Sequence, residues 1–206
     1  MINMMKWHNN SIEDKNTMPF RRFSSCLSFF LAALILVLAA GRVPDARGEL
    51  SRLQEYEIKA AYIYNFAKYV EWPADSFASE SAPLILGILG DNPFGPHLEK
   101  IAGKSVRGRK LVIREINDYH NIVPCHLLYI STSEAKNLKE IASILAEQPV
   151  LTIADMKNFI VGDGMINLVV QKNKVRFIIN PRKAKKQGLT ISSLLLKLAI
   201  IDENER

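Results

Sequence analysis

Leu84-Ile85-Leu86-Gly87-Ile88-Leu89, broken at once by Gly90-Asp91-Asn92-Pro93-Phe94-Gly95, is the stretch on which the fold turns. Six residues without a polar face are too few for a helix of ordinary length and match a strand covered on both sides. Such strands belong to sheets flanked by helices, so the rest of the chain is read for what covers this one.

Upstream, Leu53, Tyr56, Ala60, Ile63, Ala67 and Val70 recur at spacings of three and four, one face of a helix that Pro73 ends. A second stripe of Tyr62, Phe66 and Tyr69 lies beside the first. A helix apolar over more than half its circumference is either packed on two sides or holds a partner.

Downstream the sequence predicts a helix from Pro96 to Ala102, a basic segment from Lys104 to Lys110, and a strand from Leu111 to Ile116. His126 to Ser131 and Val150 to Ala154 read as further interior strands, with a helix between them over Glu134 to Glu147 and Ser133 as its cap. Met165 to Gln171 and Lys174 to Asn180 form a hairpin turned at Lys172-Asn173, with Val175, Phe177 and Ile179 alternating on one face. Pro181 to Gln187 is a short basic helix stopped by Gly188, and Thr190 caps a last helix along Ile191, Leu195, Leu198 and Ile201. The expected class is α/β: one domain, residues 50–203, with a mixed sheet and helices on both of its faces.

The N-terminal residues decide the compartment. Leu27 to Ala40 is an uncharged apolar run preceded by Arg21-Arg22 and closed by Ala39, Ala40 and Gly41. That order is a secretory signal peptide over residues 1–41, cleaved before Arg42, with Met18 as an alternative start that gives a leader of ordinary length. Adding Phe23 to Cys26 brings the run near the roughly 18–20 residues of an uncleaved anchor, the rival reading. The expected destination is the periplasm. Removal of the leader takes away four basic and two acidic residues, lowering the net charge from +6 to +4, too mild to imply nucleic acid.

Cys26 precedes the apolar run and leaves with it, so the mature chain keeps Cys125 alone and closes no internal disulfide. Cys125 is then a small buried hydrophobe or a group free for intermolecular pairing. His97, His120 and His126 have no metal-ligand spacing, and Cys125 and His126 would point to opposite faces of one strand. No nucleophile elbow is present. The Gly90–Gly95 turn stands where ligands collect in α/β sheets, which makes Asp91, Asn92 and Phe94 a candidate ligand turn. Asp91 or Asn92 as a helix cap with Pro93 in the first turn explains the same residues without a ligand. The basic clusters Lys104/Arg107/Arg109/Lys110 and Arg182/Lys183/Lys185/Lys186 face anionic headgroups, an acidic partner, or simply water. No catalytic group, metal or cofactor is expected from this inventory.

Taken in order, five segments resemble the YfiR family of periplasmic proteins: Lys59 to Pro73, Ile88 to Phe94, Cys125 to Ile130, Val175 to Asn180, and Gly188 to Ser193. The resemblance implies a non-enzymatic regulator that binds the periplasmic part of an inner-membrane diguanylate cyclase and holds it inactive, lowering cyclic-di-GMP and biofilm formation. Tyr62, Phe66, Tyr69 and Trp72 are the expected partner contacts if their stripe is exposed, and a homodimer of the chain is compatible with this scheme. Two departures stand out. Cys125 matches a family cysteine but has no partner for redox control, and Asp163 occupies a usual Gly-Gly position. The competing readings are a periplasmic small-ligand-binding accessory domain of another sensor, such as a histidine kinase, and a cryptic hydrolase.

Overall fold

The Leu84–Leu89 run is indeed interior. The computed structural model describes residues 46–122 and 124–200. The leader expected over residues 1–41 and the last residues of the expected domain, 201–203, lie outside them. Helix α1 (Ala46–Tyr69) leads into β1 (Val70–Glu71) and then β2 (Leu84–Leu89), β3 (Ser105–Val106) and β4 (Arg109–Ile116). Next come β5 (Leu127–Ile130), α2 (Leu138–Ile144), β6 (Leu151–Ala154), β7 (Ile166–Gln171) and β8 (Lys174–Ile179). Helix α3 (Pro181–Lys186), β9 (Thr190–Ile191) and α4 (Ser193–Leu198) complete the order.

Seven strands form one mixed sheet in the order β3-β4-β2-β5-β6-β7-β8, with β3 and β8 antiparallel at the two edges and the five between them parallel. Alternation along each strand sorts the core into two layers. Leu86, Ile88, Leu127, Tyr129, Leu151 and Ile153 pack on one face with Ile63 and Phe66 of α1. Leu89, Leu128, Ile130 and Ala154 pack on the other with Ile141 of α2. Helices therefore cover both faces, as the sequence implied. No helix among the described residues is long and apolar enough to cross a membrane.

Several elements differ from the sequence expectation. Gly95–His97 is a 3-10 turn rather than the start of a helix to Ala102; Pro96 contributes no N–H, and His97, Glu99 and Ile101 donate three residues back. The basic segment folds as the β3–β4 hairpin, because Arg107 and Gly108 both adopt positive φ (51° and 81°), the pair of values a tight two-residue turn needs. Thr132–Asn137 is a 3-10 stretch before α2, and the Ser133 hydroxyl caps nothing there, receiving the Asp91 N–H instead. Thr190 lies in β9, paired to Glu71 of β1, and the cap of α4 is Ser192, which accepts from the Leu194 N–H.

The Asp163 departure has a backbone meaning. Asp163 sits at φ 74°, where glycine is at ease and a β-carbon is not, and its carboxylate is tied to the Lys183 ammonium at 2.5 Å. Its neighbour Gly164 is constrained by space: a β-carbon there would lie 2.4 Å from the Phe159 ring. Gly164→Ala is therefore expected to destabilise the protein by about 1–3 kcal/mol in urea titrations, by forcing the buried ring out of its rotamer.

Candidate functional site

The chain passes from β2 to β4 on one side of it and then to β5 on the other, which makes β2 and β5 the pair at which the topology switches. Beyond the carboxyl ends of such a pair lies the crevice where α/β sheets usually hold ligands. The Gly90–Gly95 turn stands there. Asp91 donates its N–H to the Ser133 hydroxyl at 3.0 Å, and a β-carbon on Gly90 would collide with that oxygen. Asn92 accepts the Phe94 N–H at 3.0 Å and donates to Glu115 at 2.8 Å. Phe94 is 1 % exposed, with its ring 5.5 Å from Tyr56 and 4.7 Å from Tyr129, both edge-on. Asn92 thus closes a local turn, Pro93 opens no helix, and the Phe94 ring packs into the core between Tyr56 and Tyr129.

Beneath Phe94 lies a polar cluster that the sequence did not reveal. Asp155, directly after β6, accepts from the Lys59 ammonium at 2.6 Å, the Tyr56 hydroxyl at 3.0 Å and the Tyr129 hydroxyl at 2.7 Å. Both members of the ion pair are buried, with side-chain exposures of 4 % and 5 %. Glu55, one turn earlier on α1, gives Lys59 a second carboxylate at 2.5 Å. Burial, together with the Asp155 charge, raises the pKa of both tyrosines, so each stays protonated and able to donate. The signals were present: Lys59 stands in the apolar stripe between Tyr56 and Ile63, and Asp155 ends an apolar run.

The expected aromatic stripe divides. Phe66 is fully buried against Tyr62 and Phe177, 0 % exposed, so it belongs to the core and offers no direct contact. Tyr62 is half-buried, with its hydroxyl aimed at the Val175 carbonyl. Tyr69 and Trp72 are also half-buried and stand at the end of α1. The Trp72 indole N–H donates to the His126 carbonyl at 3.0 Å. A cavity of about 210 Å³ beside it is lined by Glu71, Phe77, Arg107 and Arg109. The Arg109 guanidinium lies 3.7 Å from the Phe77 ring centre, and His126 stacks on the same ring at 4.4 Å.

His126 is held by backbone on both nitrogens. Its Nδ1 accepts from the Ile85 N–H at 3.0 Å, so the neutral ring donates Nε2–H to the Ser76 carbonyl at 3.1 Å. Burial, with a smaller contribution from Arg109, lowers its pKa. Neither nitrogen is left to take a proton from a nucleophile. Cys125, on the neighbouring position, is buried, and burial pushes its thiol up to about 12, far from the reactive thiolate. Among the described residues no group of histidine, cysteine and carboxylate side chains could hold a metal ion.

The family model for YfiR/HmsC-like proteins matches residues 56–200, from the Tyr56 of the buried cluster to the end of the described chain. No curated protein matches. Among solved structures, a conserved domain protein from Vibrio cholerae O1 biovar eltor is similar, at 12% identity with a TM-score of 0.49 over 71% of this chain. The chain spans 59% of that protein's length.

Two outcomes follow from this geometry. Asp155→Ala strands two hydroxyls and leaves the buried Lys59 ammonium with Glu55 as its one carboxylate, and is expected to cost about 2–4 kcal/mol in chemical denaturation, with Tyr129→Phe costing about 1–2 kcal/mol. Because the folded pKa of His126 lies below its unfolded value, its contribution is whole above about pH 6.5 and is lost as pH falls through the folded value. Unfolding free energies measured between about pH 7.5 and 5 should fall toward acid in the wild type and fall less steeply in His126→Gln.

Proposed function

The chain belongs to the YfiR/HmsC-like family of periplasmic regulators of cyclic-di-GMP signalling, and on that premise we propose that it represses an inner-membrane diguanylate cyclase by binding its periplasmic part. The observation that carries the reading is the continuous family match over residues 56–200, which takes in both faces of the sheet and not one motif. The state of the polar groups supports it. Asp155, His126 and Cys125, which could otherwise serve chemistry, are each buried or bonded within the fold. In this reading the chain works through its surface, as a binding protein without turnover.

Repression needs no more than differential affinity. If the repressor binds the inactive state of its receptor more tightly than the active one, the receptor shifts by that ratio and by nothing else. Tyr69 and Trp72 are the contacts we assign, with Tyr62 at the margin and Phe66 acting only by supporting Tyr62, on whose ring it stacks. Trp72 has the character of an anchor: a large aromatic face, a fixed indole N–H, and a cationic groove beside it. Redox release through an intramolecular disulfide is not part of the scheme, because Cys125 has no partner cysteine in residues 42–206. In the turn that the small-ligand alternative would use, the Asp91 N–H is already given to the Ser133 hydroxyl and Phe94 is buried.

The test is genetic and biochemical together. Expression of the full chain should lower cellular cyclic-di-GMP, and Trp72→Ala, which also loses the bond to the His126 carbonyl and so lowers the thermal melt, should weaken co-purification with the cyclase by about thirty-fold at a temperature where the variant is still folded. Unchanged cyclic-di-GMP on deletion and on overexpression would sink the reading.

A further inference from the structure

The cavity beside Trp72 contains a guanidinium that the fold fixes in place and leaves without an acid. Arg109 opens β4, opposite Val106 of β3. Its Nη1 donates to the Ser79 carbonyl at 2.9 Å and to the Ala82 carbonyl at 2.7 Å, and its guanidinium carbon lies 3.7 Å from the Phe77 ring centre. Two carbonyls and a ring hold the side chain, and Nη1 has no hydrogen left to give. Nε and Nη2 donate to no group among the described residues. That pair is an edge with which arginine meets both oxygens of one carboxylate.

The rest of the lining is apolar below and charged above. Ala67, Leu84 and Val106 form the floor, none more than 2 % exposed, and the half-buried rings of Trp72 and Phe77 form the walls. Glu71 and Arg107, paired with each other at 2.5 Å, are about half exposed and stand at the rim. Glu71 is the one acidic residue of the lining, and Arg107 already answers it. The positive charge left over is that of Arg109. At about 210 Å³ the cavity is smaller than the roughly 300–1,000 Å³ of pockets for drug-sized ligands, and suits a single large side chain.

We propose that this cavity receives one apolar side chain of the partner protein, and that Arg109 binds the carboxylate of the residue next to it in the partner's chain. The floor and the two rings supply what the apolar side chain buries, and the spare edge of Arg109 supplies the two donors that a neighbouring aspartate or glutamate accepts. Holding the Ser79–Ala82 loop uses only Nη1, so it does not account for a guanidinium whose other edge is unspent in a lined cavity. The inference rests on the reading that the protein acts by touching another protein, and adds to it the chemistry of the segment that Trp72 meets.

The probe is the capped tetrapeptide acetyl-Ser-Leu-Asp-Ser-amide, added to the mature chain, residues 42–206, in which Trp72 is the sole tryptophan and its emission reports the cavity wall. The peptide should shift that emission with a Kd of about 1 mM, and the versions with Leu-Asn or Ala-Asp in place of Leu-Asp should bind at least about tenfold more weakly. Arg109→Lys keeps the charge, loses the two-donor edge and should weaken the peptide about tenfold. Ala67→Leu fills the cavity from its floor and should abolish the shift. Should either variant melt below the assay temperature, Glu71→Gln, at an exposed position, decides: it frees Arg107 and should tighten the peptide about threefold. No shift with the acidic peptide, equal affinity for the Leu-Asn version, no tightening in Glu71→Gln, or N-acetyl-leucine binding as tightly as the tetrapeptide would each overturn the proposal. If the peptide fails while the chain still lowers cyclic-di-GMP, the Arg109 site falls and the proposed function stands. If the peptide binds while cyclic-di-GMP is unmoved by the chain, the reverse holds.

Discussion

The contact on which the rest of the structure depends is the carboxylate of Asp155 under α1. Hydrophobic burial holds a helix to a sheet but hardly cares about a slide of one turn, since apolar attraction has no direction. A buried ion pair cares a great deal. Lys59 must meet Asp155, and the hydroxyls of Tyr56 and Tyr129 must reach the same carboxylate, so one position of α1 satisfies four polar groups at once. Such a pair contributes little net stability over an apolar substitute, and its value lies in excluding alternatives. Phe94 then packs on both tyrosines, which brings the turn after β2 into the same arrangement.

That arrangement determines what the crevice at the carboxyl ends of the strands can be. In a nucleotide-binding α/β protein the first turn leaves a backbone cradle open. Here the Ser133 hydroxyl occupies the space above Gly90, and the aromatic ring of Phe94 turns inward to the core. At the other end of the sheet His126 meets the same fate, with its imidazole spent on the Ile85 N–H and the Ser76 carbonyl. Polar side chains that would be catalytic in a different setting act in this protein as fasteners between backbone segments.

Much of the fold was legible because it follows from periodicity. The apolar runs at Leu84, Leu127 and Leu151 and the alternation at Val175, Phe177 and Ile179 fix strands and faces by arithmetic alone. The failures occurred where one or two backbone angles decide. Arg107 turns a hairpin at positive φ, which its side chain gives no reason to expect, and Ser133 and Thr190 look like caps until tertiary bonds claim them. Phe66 shows the limit for surface residues: spacing places it on the helix, but Phe177, more than a hundred residues later, decides that it is buried. The Lys59–Asp155 pair was hidden for the same reason, although each charge sits conspicuously at an apolar position.

Contact surfaces are harder to read than active sites because their requirement is arrangement and not reactivity. Trp72 illustrates this. It follows β1 directly, and β1 is held by β9, with Val70 opposite Ile191 and the Ser192 N–H bonded to the Tyr69 carbonyl at 2.9 Å. The indole is therefore positioned by the last part of the fold as much as by the helix that precedes it. No window of sequence around Trp72 contains that information. A two-stranded ribbon joining residues about 120 positions apart puts Trp72 and the final helix, with Leu194 and Leu198 exposed on it, under one constraint. On the proposed reading, in which the protein works through its surfaces, such ribbons take the place that a catalytic constellation holds in an enzyme.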